Sequence, residues 1–186
     1  MNSRERLLAS LAHEEPDRLP VFHPNIIETY EPYDEGLMTY LKDFDFDELT
    51  DLDSYVDPPG QRRTLGDGTI VDGFGCRFQY KGVGLPYCTY SPLADAETVA
   101  DVDAYPWPDP SGAGLIKNDL ATRAATLHAA GDRVLSVGIA PLFHQYHYLR
   151  GFERWMLDVK LARDVHQAIA EHIYEVNVTL LLRALE

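Results

Sequence analysis

The chain has 186 residues, 45% of them hydrophobic, which is enough for one folded domain with a sizeable core and too apolar for a disordered segment. Thirty acidic residues against 16 basic ones leave a net charge of −14, which argues against nucleic acid and anionic membrane surfaces as partners. No apolar run approaches the roughly 18 residues of a membrane span, and the opening MNSRERLLASLAHEE lacks the apolar stretch of a signal peptide. Cys76 and Cys88 lie outside any CxxC and read as reduced thiols of a cytoplasmic protein, with a zinc pair as the weaker alternative.

Asn2 or Ser3 can cap a first helix whose one face carries Leu7, Leu8 and Leu11, with Pro16 beyond its end. Leu19 to Phe22 is short and apolar, a strand with His23 at its C-terminal end. A second helix is expected over Glu35 to Lys42. Leu49 to Asp57 reads as a strand broken by Pro58-Pro59-Gly60. From Gln61 to Tyr80 the pattern is a β-hairpin or meander: Gly66-Asp67-Gly68 marks a turn between strand-like runs, and Leu85 to Tyr90 can pair with it. Asp72 and Gly75 belong to the hairpin geometry.

Leu93 to Ala104 has a helical pattern with Asp95 and Glu97 in its first turn, where they oppose the helix dipole favourably. Pro106, Pro108 and Pro110 then hold the chain extended around Trp107, a packing anchor. An alanine-rich helix over Leu115 to Ala130 closes near Gly131. VLSVGIA, at Val134 to Ala140, has the composition of a buried parallel strand, and Pro141 stops it. LFHQYHYLR continues as a helix on which His144, His147 and Tyr148 share a face, and Gly151 ends it. In the final helix, from about Asp164, the stripe Val165, Ile169, Ile173, Val176 and Leu180 faces a core and should pack on the strand at 134–140.

Three stretches then become familiar together: DGTIVDGFGCRF at Asp67 to Phe78, SPLADAETVADVDAYPWPDP at Ser91 to Pro110, and the strand, Ala-Pro step and LRGFERWMLD ending at Asp158. With the opening RERLLASLAHEEPDRLPV they resemble the uroporphyrinogen decarboxylase superfamily, and LRGFERWMLD resembles its cobalamin-dependent methyltransferase branch more than the true decarboxylases. The resemblance covers about the first half of a family member. It implies an α/β chain over 1–186 that forms the N-terminal portion of a (β/α)8 TIM barrel with a β-hairpin excursion. Three parallel strands fall short of the eight such a barrel needs. The ending LLLRALE, with no glycine cap, reads as a truncation or as one half of a split barrel.

The resemblance also implies chemistry. True decarboxylases follow the first strand with an Arg-Gln-Ala-Gly-Arg motif, whereas the stretch here, FHPNIIETYEPY, has no arginine. Their tyrosine after the Ala-Pro step aligns with His147, which exchanges a phenol of pKa about 10 for an imidazole near 6.5. The expected activity is therefore corrinoid-dependent methyl transfer, with a corrinoid carried by a partner protein and zinc held by ligands in the absent half. No metal is expected on this chain alone. A tetrapyrrole decarboxylase with another anionic clamp is the first alternative, and a non-catalytic binding half of a split barrel is the second. Expected partners are a small-molecule or tetrapyrrole substrate, the corrinoid protein and a complementary C-terminal half.

The candidate catalytic residues are His147, His144, His23 and Asp57; Tyr146, Tyr148, Arg62, Arg63 and Arg77 are candidates for substrate binding. Each has a plainer reading. His144 and His147 can be a metal pair three residues apart or aromatic packing under a cofactor. His23 can stand at a barrel mouth or bond the backbone of a loop. Asp57 can act as acid or base, or stabilise the turn before Pro-Pro. The three arginines can solvate a surface, or together hold a carboxylate.

Overall fold

The computed structural model describes residues 1–22, 39, 46–47, 49–52, 56, 63–82, 86–138 and 141–186. His23, Asp57, Arg62 and the helix expected over 35–42 lie outside the described residues. The chain forms two compact units, one of Met1–Ser54, Gly82–Leu85 and Asn118–Val137, the other of Tyr55–Lys81, Pro86–Lys117 and Gly138–Glu186.

In the first unit, helix α1 (Ser3–Leu11) begins at a reciprocal cap: the Asn2 side chain accepts from the Glu5 amide, and the Glu5 carboxylate accepts from the Asn2 amide. The three stretches read as parallel strands pair side by side. Phe22 bridges Asp47 in parallel, and β1 (Leu49–Asp51) runs parallel to β6 (Val134–Ser136), with Thr50 opposite Leu135. The strands are shorter than the sequence suggests. Helix α3 (Leu120–Ala130) ends at Gly131 and packs beside β6.

A charged node holds the start of this unit together. Arg6, 7% exposed on the inner face of α1, donates to both oxygens of Asp17 and to Asp47. Asp47 also accepts from Arg18 at 2.7 Å and from the Val21 amide at 2.9 Å. Burial works against the Asp47 carboxylate. The Val21 amide, Arg6 and Arg18 outweigh it and hold its pKa below the ordinary range.

In the second unit, strands β2 (Arg63–Thr64), β3 (Ile70–Val71), β4 (Arg77–Gln79) and β5 (Tyr87–Tyr90) form an antiparallel meander in that order. The β2–β3 turn closes through Gly68 N–H to the Leu65 carbonyl; Gly68 sits at φ +82, where a side chain would be strained. Asp72 accepts from the amides of Phe74 and Cys76 and so shapes the β3–β4 turn. One face of the sheet, with Ile70, Phe78 and Cys88, packs on the core.

Helix α2 (Val99–Asp103) is shorter than expected, and Asp95 and Glu97 precede it instead of filling its first turn. Thr98 caps it, with Asp101 as the reciprocal acid. The chain before it is not helical, and its carbonyls at Leu93, Ala94 and Ala96 accept from Arg150. Trp107 is the anchor expected: its indole N–H donates to Val102 O at 2.9 Å, and its ring stacks on His172 at 4.6 Å.

Helices α4 (Leu142–Arg150), α5 (Phe152–Leu161) and α6 (Arg163–Leu185) complete the unit. Gly151, at φ +84 and ψ 139, makes the elbow between α4 and α5, a conformation that only glycine adopts without strain. The α6 stripe Val165, Ile169, Ile173, Val176 and Leu180 is at most 4% exposed. Each such residue contributes roughly 1.5–3 kcal/mol. Its neighbours within this unit are α2, α4 and α5. Among the described residues no helix is long and apolar enough to cross a membrane.

Two outcomes follow from these ion pairs. Arg150 and Asp158 are 2% and 3% exposed, with the Nε–Oδ2 contact at 2.5 Å. Replacing Asp158 with Ala leaves a buried guanidinium uncompensated and should cost about 3–5 kcal/mol in denaturant unfolding. The lowered pKa of Asp47 makes its stabilisation present above the unfolded value of about 3.9 and lost as pH falls through the folded one. Asp47→Asn should therefore melt earlier than wild type at neutral pH, and that gap should close as both are taken below about pH 4.

Candidate active site on helices α4 and α5

Helix α4 is two-sided. Gln145, Tyr146, Leu149 and Arg150 are buried, while Phe143 and His144 are exposed and His147 and Tyr148 half-buried. The exposed side joins the start of α5 in one aromatic cluster. Phe143 meets Trp155 edge-on at 4.9 Å, His147 meets Phe152 at 5.7 Å, and Phe152 meets Trp155 at 5.6 Å. The His144 and His147 rings are 5.6 Å apart, and His147 lies 4.3 Å from Tyr148.

His147 has a defined chemical state. Its Nδ1 is 3.0 Å from the Phe143 carbonyl oxygen. A carbonyl can only accept, so Nδ1 carries the hydrogen and Nε2 keeps the lone pair in the neutral ring. Burial lowers the His147 pKa; the bond to Phe143 opposes this, and His144 lowers it further. At neutral pH this imidazole is therefore a neutral nitrogen donor, suited to accept a proton or to ligate a metal through Nε2.

The other candidates fall elsewhere. Tyr146 is 2% exposed in the core, against His166 at 4.9 Å, and its hydroxyl and His166 Nδ1 are both buried without a partner. Tyr148 stands edge-on to Phe78 at 4.9 Å and joins α4 to the sheet. Arg63 and Arg77 are exposed and share a cross-strand row on the sheet, each opposite Val71. The two arginines thus lie on the sheet, whereas His147 lies on α4.

Among the described residues no group of three or more His, Cys, Asp or Glu is placed to hold a metal ion. Burial, with Asp72 adding to it, pushes the Cys76 thiol far above its ordinary pKa, and burial also raises Cys88. The sequence reading missed Phe143, Phe152 and Trp155 as partners of the histidines. Their signal was the spacing of Phe152 and Met156, exposed four residues apart on α5, with half-buried Trp155 between them on the side of Asp158.

The electrostatic reading of His147 can be measured directly. In an NMR titration its ring should titrate below the ordinary value of about 6.5, and His144→Ala should move that midpoint upward by removing a neighbouring charge. A midpoint at or above 6.5, unmoved by the substitution, would contradict the arrangement.

No protein-family model, no curated protein and no solved structure matches this chain.

Proposed function

We propose that the chain is part of a (β/α)8 barrel of the uroporphyrinogen decarboxylase-like kind, and that it serves corrinoid-dependent methyl transfer. The observation that carries this reading is the state of His147: a neutral imidazole with a free Nε2, set among Phe143, His144, Phe152 and Trp155 on the helix that follows a parallel strand. The parallel run from Phe22 to Asp47 and from β1 to β6 supports the barrel part of the proposal, because neighbouring parallel strands in chain order are what a barrel is built from.

The residues suit a planar macrocycle. Aromatic rings offer it flat apolar contact, and His147 Nε2 offers a nitrogen ligand on the same surface. The corrinoid brought by the partner protein would supply the cobalt centre for methyl transfer. His147 and His144 would contact it where the two proteins meet, Phe143 and Trp155 would exclude water beside it, and the hydrogen bond to the Phe143 carbonyl would keep the His147 ring oriented. No step is assigned to zinc. The missing arginine pair after the first strand weighs against porphyrinogen decarboxylation.

The test is titration of the purified chain with aquacobalamin, followed by visible absorbance. Displacement of the cobalt-bound water by an imidazole nitrogen should shift the spectrum saturably. The shift should be lost in His147→Ala, weakened in His144→Ala and kept in His13→Ala, which removes an exposed histidine of α1's end. An unchanged wild-type spectrum overturns the proposal. Release of carbon dioxide from uroporphyrinogen would replace it with the decarboxylase reading.

A further inference from the structure

On the side of the antiparallel sheet opposite Ile70, Phe78 and Cys88, exposed cations flank a Val71 that is itself 6% exposed. Arg63 lies opposite Val71, Val71 opposite Arg77, and Arg77 opposite Tyr90. Residues directly opposed across strands point to the same side, and the other side carries Ile70, Phe78 and Cys88 into the core. The Arg77 guanidinium sits 4.9 Å over the Tyr90 ring, and the Lys81 ammonium sits 4.9 Å over the Tyr87 ring. Tyr87 donates to Gln79 Oε1 at 3.4 Å, and Gln79 donates to Thr69 Oγ1 at 3.1 Å. Each cation is thus steadied over a ring, and the Tyr87 ring is itself held by its hydrogen bond to Gln79.

These cations are not consumed internally. Among the described residues Arg63 and Arg77 form no ion pair; Asp67 feels the charge of Arg77, but its carboxylate already accepts from the Thr69 amide. In a chain of net charge −14, an exposed row of three cations with two tyrosines is a local reversal of sign. Arg63 and Arg77 stand two strands apart, about 9–10 Å, close to the spacing of residues three apart in a polyproline II chain, whose side chains at that interval share one side. A cleft of about 550 Å³ in this unit is lined by Glu97, Asp101 and Tyr105, off the sheet and of the opposite charge. A small anion on a flat face would stay largely hydrated, whereas an extended polypeptide covers it, and Arg with Tyr are the residues that anchor such contacts.

We propose that this sheet face docks an acidic segment of a partner polypeptide, with carboxylates on Arg63 and Arg77 and the chain lying across Tyr87 and Tyr90. The inference is independent of the reaction proposed for helix α4.

The experiment is fluorescence anisotropy of a fluorescein-labelled Glu-Tyr-Glu-Glu-Tyr-Glu peptide with the full chain. Binding should be saturable and weaken with added salt. The double variant Arg63→Glu and Arg77→Glu should lose about tenfold or more in affinity, and Lys160→Glu with Arg163→Glu, exposed cations of α5 and α6, should not. Circular dichroism checks that both variants fold, and Arg77→Lys, which keeps the charge, should retain most of the binding. Absence of saturable binding, equal loss in both double variants, or competition by mellitate as strong as by unlabelled peptide would each overturn the proposal. So would self-association of the wild-type chain that is lost with Arg63→Glu and Arg77→Glu, since the occupant would then be a second copy.

Discussion

Arg150 is the interaction on which the second unit depends. A guanidinium cannot give up its charge, so burying one requires that its donors all find acceptors. Arg150 meets that condition with Asp158 and with the carbonyls of Leu93, Ala94 and Ala96. Three consequences follow. The segment before α2 is tied to α4, because its carbonyls accept from Arg150. The α4–α5 elbow at Gly151 is fixed, because the pair spans it. And α5 is rotated so that Asp158 faces in, which turns Phe152, Met156 and Val159 outward. The aromatic surface beside His147 is therefore a by-product of where one buried charge is paired.

The first unit repeats the device at its own scale. Arg6 and Ala9 take the buried side of α1, while Leu8 and Leu11 of the expected apolar face are exposed, and the partner of Arg6, Asp47, lies 41 residues away, at the point where the first two parallel segments meet. Asp47 accepts from the Val21 amide while its own amide donates to the Val21 carbonyl. The carboxylate thus belongs to the strand pairing as much as to the ion pair, which ties helix α1 to the first two parallel segments through one side chain.

Features set by neighbouring residues were legible in the sequence. The Asn2 cap, the Gly66–Gly68 turn, the Asp72 turn, the Gly131 and Gly151 stops and the α6 stripe each depend on chemistry within a few positions, or on a helical period repeated over five residues. What was missed depends on distant partners. The start of α2 was misplaced, and the carbonyls before it accept from Arg150, more than 50 residues on. The strands were drawn too long because an apolar run carries no mark of where its pairing ends. In the candidate site, the shared face of His144, His147 and Tyr148 was legible from helical spacing. The burial of Tyr146 was not, since Tyr146 and His147 are adjacent in sequence and only the packing of α6 decides which one turns inward.

The distribution of arginines sharpens the contrast between the two surfaces. Arg6 and Arg18 serve Asp17 and Asp47; Arg150 serves Asp158 and the carbonyls before α2; Arg183 donates to the carbonyls of Pro110 and Gly112. Each of these is committed to the fold, so a count of 16 basic residues overstates the positive charge offered to a partner. What the outer sheet face offers is set by register: β2 and β4 both place an arginine opposite Val71, and β5 supplies the tyrosine beneath one of them. His147 on α4 and Arg77 on β4 thus belong to different surfaces of the unit, one aromatic and one cationic. The first suits contact with a flat apolar ligand, and the second suits the carboxylates of an extended chain.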